Sequence, residues 1–178
     1  MRMSSAIFVD TNSMYLTTRD MGVNRVNYDK LFDLLRERGL FDENTIKHAY
    51  GVQVNKMSKP FIYYLEATGF ITYFVNVMIQ NGPRKDALHL QNTDIAVKMA
   101  SDILLNASVA DTFIIVTVNP TFHNVLHELE LLGKKVILVV INEVKRLEEY
   151  ASEVIRMDQT YFEDENSVSA RQQRTNLQ

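Results

Sequence analysis

The sequence predicts an α/β fold of three layers, in which a parallel β-sheet has helices on both faces. Short apolar runs rich in Val and Ile, such as residues 113–118, are typical of strands that are covered on both sides. Segments with apolar residues at helical spacing, such as residues 122–132, follow runs of this kind. Because strands and helices alternate along the chain, the strands are expected to be parallel and joined by helical crossovers.

The first half of the chain is predicted to contain three strands and two helices. The predicted strands are residues 6–9, 46–54 and 71–79. The predicted helices are residues 27–36 and 58–68. Pro60 fits the first turn of the second helix, and Gly39 and Gly69 end the two helices. Residues 13–27 show no sustained pattern and are expected to form a loop, with at most a helical turn.

A polar stretch, residues 81–92, is predicted to be a loop that leads to the next helix. It contains a small basic cluster of Arg84, Lys85 and His89. Such a cluster can hold a phosphate backbone, although it is more often a solvated loop. The helix that follows is expected over residues 93–106, with Thr93 as its N-cap.

The stretch from residue 111 to residue 140 is the clearest strand–turn–helix–strand unit of the chain. Its first strand is broken at Pro120, since proline lacks the N–H that a ladder needs, and its helix stops at Gly133. In a parallel sheet, the turn after a strand lies at the carboxyl edge, where ligands bind. Asn119 and Thr121 are therefore expected at a functional edge, although neither is an acid.

The remaining elements complete the sheet and lead into a tail. Further strands are predicted over residues 136–141 and 153–157, with a short helix over residues 144–150 between them. Residues 163–178 lack apolar periodicity and are predicted to be a disordered tail. Residues 1–162 are accordingly predicted to form a single domain.

Composition narrows the class of protein. The chain has 178 residues, of which 46% are hydrophobic and 23% charged, as is ordinary for a globular protein. It has no cysteine, which excludes disulfides, thiolate catalysis and cysteine-ligated zinc. Its net charge of −3 means that nucleic acid binding would need a local basic patch. No apolar run has membrane-spanning length and no signal peptide is recognisable, so a cytoplasmic protein without a membrane partner is expected.

Two acidic residues admit both a functional and a structural interpretation. Asp10 ends the first strand, where it can present a metal ligand on a rigid base or cap a turn. Asp94 lies in the first turn of the predicted helix, where a carboxylate interacts favourably with the positive helix end. It can also pair with Lys98 at the i, i+4 spacing. Asp102 is about 12 Å further along the helix axis, too far to share one ion with Asp94.

Several segments of the chain follow the pattern of a known family. I-F-V-D-T-N ends the first strand with Asp10 and then Asn12, and the second strand carries Tyr50 and Gly51. The order and spacing of these segments resemble the NYN domain family, and within it the LabA-like branch of the PIN-like nucleases. The resemblance runs over about residues 6–155.

The acidic motifs of the family are kept only in part. Asp94 and Asp102 match the spacing of the family's helix motif, but Gln91 stands where the family has lysine. Residues 117–122, T-V-N-P-T-F, align with the family run Ser-Gly-Asp-x-Asp-Phe. The turn glycine and two acids of that run are replaced by Val118, Asn119 and Thr121. The acidic site is therefore expected to be partly degenerate.

The resemblance implies a metal-dependent ribonuclease site, in which clustered carboxylates hold Mg²⁺ or Mn²⁺. The implied metal ligands are Asp10 and Asp94, and Asn119 joins them as an implied catalytic residue. The implied substrate-binding residues are Asn12, Arg84, Lys85, Thr121 and His123. RNA is the implied partner, a protein partner is an alternative, and the oligomeric state is left open.

Two functional hypotheses stay open from the sequence. The first is a metal-dependent endoribonuclease with a reduced acid set, Asp10 and Asp94. The second is a catalytically inactive pseudo-nuclease that binds RNA or a protein. His123 and His127 lie one helical turn apart, but the glutamate of a zinc protease motif is missing, which favours a polar helix face. A generic doubly wound domain is the alternative fold class, and it predicts no clustering of Asp10 and Asp94.

Overall fold

A computed structural model describes residues 4–54, 58–77 and 85–164, while the side chains at positions 54, 77 and 85–92 lie outside that description. Within these residues the strands are β1 (Ser5–Asp10), β2 (Ile46–Val54), β3 (Ile71–Val77), β4 (Thr112–Val116), β5 (Lys135–Val140) and β6 (Glu153–Arg156). All pair in parallel, in the order β3-β2-β1-β4-β5-β6. The predicted α/β class with a parallel sheet is confirmed.

Helices cover the sheet on both faces. They are α1 (Thr11–Asp20), α2 (Tyr28–Glu37), α3 (Lys59–Ala67), α4 (Lys85–Leu105), α5 (His123–Leu131) and α6 (Lys145–Glu148). Successive side chains of a strand point to opposite faces. Ile7 and Val9 of β1 accordingly join one core with α1, α2 and α3, whereas Ala6 and Phe8 join the other core with α4, α5 and α6. Burial on both faces explains why β1, β4 and β5 are almost continuously apolar.

Two glycines end helices as the sequence predicts. Gly39 follows α2 with φ of 69°, and Gly133 follows α5 with φ of 71°. Each donates its backbone N–H to a carbonyl of the preceding turn, Arg36 O at 2.9 Å and Glu130 O at 2.8 Å. Glycine adopts this left-handed conformation without the steric cost of a Cβ atom.

The loop predicted over residues 13–27 is wrong in its first part, because α1 begins immediately after β1. The Asp10 side chain caps the helix by accepting from the Ser13 backbone N–H. The buried side chains of α1 are Thr11, Met14 and Thr18, so two of the three are threonines. A helix that buries hydroxyl groups shows no apolar stripe in its sequence, which explains the failed prediction.

The loop predicted over residues 81–92 is wrong from residue 85 onward, because α4 begins at Lys85. Thr93 is therefore not an N-cap, and Asp94 lies inside the helix rather than at its positive end. The segment K-D-A-L-H-L-Q contains good helix formers and neither glycine nor proline, so its polarity does not prevent a helix. Of the predicted basic cluster, Arg84 and the side chains of Lys85 and His89 lie outside the described residues.

The end of the described chain packs against the segment between α1 and α2. Asn27 N donates to Tyr161 O at 2.7 Å, and Glu163 N donates to Arg25 O at 2.8 Å. Glu163 is 6% exposed, so the packed chain continues at least one residue past the predicted domain end at 162. The rest of the predicted tail, from residue 165, lies outside the described residues. Among the described helices, none combines the length and apolar character needed to cross a membrane.

Candidate functional site

The site candidate lies where the order of the strands reverses. The chain passes from β1 outward to β2 and β3 and then returns to place β4 on the other side of β1. Val9 of β1 and Val116 of β4 are register partners, so both strands reach the carboxyl edge together. Ligands of open parallel sheets bind in the crevice at such a switch point. A cleft of about 630 Å³ opens there.

The cleft has a polar end and an apolar wall. The polar side chains that line it are Asp10, Asn12, Ser13, Thr93, Asn119, Thr121, Asn124 and Glu128. The apolar ones are Leu16, Ile95, Ala96, Val97, Ala100, Leu104, Phe122 and Val125. The structure thus brings together four predicted site residues: Asp10, Asn12, Asn119 and Thr121. No lysine or arginine belongs to the lining within the described part of the chain.

Asp10 is the central acid of the cleft and is only 3% exposed. Its Oδ1 accepts from the Ser13 backbone N–H at 3.0 Å, and its Oδ2 accepts from the Thr117 hydroxyl at 2.9 Å. Burial raises the pKa of this carboxyl above its usual value, and the hydrogen bonds from Ser13 and Thr117 offset only part of that effect. Asp10 therefore caps α1, as the sequence allows, and it also lines the cleft.

Thr117 and Ser13 are two site residues that the sequence analysis does not single out. Thr117 is fully buried, and its Oγ1 also accepts from the Asn119 backbone N–H at 3.1 Å. Ser13 Oγ lies 3.3 Å from Thr117 Oγ1 and accepts from Val118 N at 3.3 Å. These bonds tie the turn after β1 to the turn after β4. The alignment of Thr117 with a family serine was the signal that could have identified this hydroxyl.

The turn after β4 is closed by Asn119. Its side-chain Oδ1 accepts from the Thr121 backbone N–H at 3.0 Å, in front of a short 3₁₀ turn over Pro120–Phe122. His123 does not line the cleft, but its Nδ1 lies 3.1 Å from Pro120 O in the same turn. Its Nε2 lies 2.8 Å from an Arg146 guanidinium nitrogen. Because a guanidinium only donates, Nε2 accepts and Nδ1 carries the proton that bonds Pro120 O.

Asp94 is not among the residues that line the cleft, whereas its neighbours Thr93 and Ile95 are. Asp94 is exposed on α4, and the structure does not bring it into one cavity with Asp10. The predicted pairing of Asp94 with Lys98 is replaced by another, since the Lys98 ammonium contacts the Asp102 carboxylate. Glu128 of α5 is instead the second acid that lines the cleft.

Asp102 belongs to a separate buried cluster beneath α4. Its Oδ2 accepts from the Tyr50 hydroxyl at 2.6 Å, and its side chain also contacts Lys98. Burial acts to raise the pKa of Asp102, but the hydrogen bonds from Lys98 and Tyr50 outweigh it and lower the pKa below its usual value. On α5, His127 stacks on Tyr150 with the ring centroids 4.8 Å apart, which agrees with a structural role rather than a zinc site.

The residues of the cleft do not fit the Mg²⁺ or Mn²⁺ centre that the resemblance implies. These hard ions need several oxygen ligands, and carboxylates supply most of the charge in such sites. Within the described residues, no three side chains of the His, Cys, Asp or Glu type form a group that could hold a metal ion. Asp10 and Glu128 are the carboxylates among the described lining residues, and the oxygens of Asn12, Asn119 and Thr121 are neutral.

Comparisons with known proteins agree with this fold. A model of the NYN domain matches residues 4–162. No curated protein matches the chain. The crystal structure of a protein of unknown function from Vibrio parahaemolyticus RIMD 2210633 is similar, with a TM-score of 0.72 and 20% identity. The similarity covers 91% of this chain and 97% of that protein, and at this identity it concerns the fold alone.

The family match gives the fold a general functional class. NYN domains are typically nuclease-like, typically bind RNA and commonly use divalent metals. The matched residues run from the start of β1 to the segment that packs on α2, so they include every strand of the described sheet. The chain belongs to the NYN domain family.

Proposed function

We propose that this protein is a cytoplasmic NYN domain of the LabA-like branch that binds single-stranded RNA at the switch-point cleft without hydrolysing it. One observation carries the proposal: among the described residues, the cleft of a nuclease-like domain presents one buried carboxylate, Asp10, and one exposed carboxylate, Glu128, and its other polar groups are neutral amides and hydroxyls. Metal-dependent hydrolysis needs a set of ligands that the described residues of this cleft do not provide. Binding needs only hydrogen-bonding groups at a concave surface, which it does provide.

Single strands are the form of RNA that suits such a cleft. Sequence-specific or stacking contacts to RNA use unpaired bases, whose edges are accessible, whereas the bases of a duplex are hidden in a deep groove. Asn12, Asn119 and Thr121 line the cleft and offer amide and hydroxyl groups to those edges. Their proposed role is to bind the RNA rather than to cleave it.

The phosphates of the RNA would lie outside the cleft, beside Arg146. This residue is exposed on α6 and is held against the Pro120 turn by His123. His123 is thus a positioning residue for a guanidinium that can bond a phosphate. Arg84 and Lys85 stay predicted phosphate contacts from the sequence.

The test measures binding and cleavage in the same samples. Fluorescently labelled single-stranded RNA is titrated with the protein in Mg²⁺, in Mn²⁺ and in EDTA, and its integrity is then read on a denaturing gel. We expect binding that survives EDTA, with intact RNA in all three conditions. Cleavage that needs the metal and disappears in Asp10→Asn would show an active ribonuclease instead. Absence of any binding would reject RNA as the ligand.

Replacing Arg146 by alanine is expected to weaken RNA binding about fivefold to tenfold at low salt, since one charged phosphate contact is lost. The slope of log K against log salt should also become less steep by roughly 0.7, the value for one phosphate of a single strand. Arg19→Ala is the matched control, because Arg19 is an exposed arginine at the far end of α1 that already pairs with Asp20. Equal losses in both variants would show that only the overall charge matters.

A further inference from the structure

One face of α4 exposes aliphatic side chains to the cleft. Val97, Ala100 and Leu104 line it at the spacing of one helix face. Val97 is 64% exposed and Leu104 is 42% exposed. The helix already buries a different face, which includes Met99 and Ile103, in the core. The aliphatic wall is therefore additional to what the fold requires, and covering it with a ligand would be favourable.

The polar end of the cleft presents neutral amides and hydroxyls beside the Asp10 carboxylate. Asn119 and Asn124 contribute amides, and an amide group carries both donors and acceptors. Asn119 uses its Oδ1 for the Thr121 backbone, and its Nδ2 donors take no part in that bond. A ligand with both donors and acceptors along one edge would match this set.

The charge of the cleft argues against a phosphate inside it. Among the residues that the structure describes, the charged side chains of the lining are two carboxylates, Asp10 and Glu128. Both would repel a phosphate, whereas the nearest guanidinium at the turn, Arg146, bonds His123 outside the lining. The volume of about 630 Å³ is within the range of sites for small organic groups. The occupant should be uncharged, apolar on its faces and polar along an edge.

A nucleobase has these properties, and we propose that the cleft receives one unpaired nucleobase of the bound RNA. The base would lie against Val97 and Leu104 with its edge toward Asn119 and Asn124, and its phosphates would stay outside beside Arg146. This inference rests on the proposed function, because it identifies which part of the RNA enters the cleft.

The first test compares a labelled single-stranded RNA with a strand of the same length in which the bases are replaced by abasic sites. The intact strand should bind the protein about tenfold or more tightly, since one base contact contributes a factor of that order. Equal affinity for the two strands would overturn the nucleobase inference and leave RNA binding intact. Binding of neither strand would reject the proposed function itself.

The second test uses two matched variants of α4. Val97→Gln changes an exposed residue of the cleft, and Leu105→Gln changes a residue of similar exposure, 72%, that does not line the cleft. Both variants should fold, because neither position is buried. We expect Val97→Gln to weaken binding of the intact strand about threefold to tenfold and to leave the abasic strand unaffected. Equal effects of the two substitutions would place the base elsewhere.

A competition experiment distinguishes a site for a nucleobase of RNA from a site for a free nucleoside. Adenosine and uridine are added separately to the preformed complex with the intact strand. We expect displacement only at millimolar concentration, since a lone nucleoside lacks the phosphate contacts. Displacement at concentrations equal to those of the competing RNA would show a free nucleoside site and would overturn the assignment to RNA.

Discussion

Gly51→Ala is expected to destabilise the protein by about 2–4 kcal/mol, the sum of an overpacked core position and a strained buried hydrogen bond. A Cβ atom at Gly51 would lie 2.4 Å from Thr11 Oγ1 and 2.5 Å from a ring carbon of Phe74. Thr11 Oγ1 donates to Tyr50 O at 2.7 Å, so it cannot move away without losing that bond. Chemical denaturation at neutral pH measures the change.

The double variant Gly51→Ala/Thr11→Ala is the control for this mechanism. Removing the Thr11 hydroxyl opens space for the new methyl group, so the two substitutions should cost less together than the sum of their separate effects. Because Thr11 follows Asp10 directly, the single variant should also weaken RNA binding. A Gly51→Ala protein as stable as the wild type would show that the start of α1 and Phe74 shift at no cost.

Asp10→Asn is expected to stabilise the protein by about 0.5–2 kcal/mol at neutral pH, the range common for single stabilising substitutions, because it removes a charge from a buried position. Asparagine can still accept the Ser13 backbone N–H with its Oδ1, and it carries no charge into the buried position. Its Nδ2 can donate to Thr117 Oγ1, whose own hydroxyl hydrogen can then turn to Ser13 Oγ. The same variant should bind RNA no more weakly than the wild type if Asp10 serves no metal. Thermal and chemical unfolding of both proteins give the comparison.

The stability advantage of Asp10→Asn should depend on pH, because the Asp10 carboxyl is charged only above its folded pKa. The folded pKa of Asp10 is raised above its ordinary value of 3.8, because burial disfavours the ionised form. Stability from the protonated carboxyl is therefore fully present below pH 3.8 and is lost as the pH rises through the folded pKa. The advantage of Asp10→Asn should grow over that window and vanish at about pH 3. An advantage that is independent of pH would contradict a buried charge as its cause.

The sheet could be predicted from the sequence because its signal is local. Continuous apolar runs mark β1, β4 and β5, and breakers such as Pro120 and Gly133 separate strands from helices. The first residues of α4 could not be predicted, because their polar sequence resembles that of a loop. α1 was missed for a related reason: it buries Thr11 and Thr18, and no apolar period results. A helix that is stabilised by its cap and by buried hydroxyl groups shows little apolar periodicity in its sequence.

The candidate site could be predicted where topology alone decides it. Asp10 and Asn119 end neighbouring parallel strands, so the rule for the carboxyl edge is enough to place both at the cleft. The positions of Asp94 and Glu128 depend on how α4 and α5 rotate about their axes as they pack. That rotation is decided by side-chain packing across many residues, and no local pattern reports it. Thr117 aligns with a serine of the family run, so its hydroxyl could be anticipated from the sequence, but its hydrogen bond to Asp10 could not.

The proposed function requires that RNA contacts the protein at the switch-point cleft. Hydrogen exchange of the wild-type protein, with and without saturating single-stranded RNA, measures this at the level of short segments. We expect slower exchange over residues 10–16, in the first turns of α1, and over residues 117–124, in the turn after β4, because both segments contribute side chains to the cleft. Residues 59–67 of α3 should be unaffected, since none of them lines it. RNA-dependent protection that leaves both segments unchanged would contradict the account.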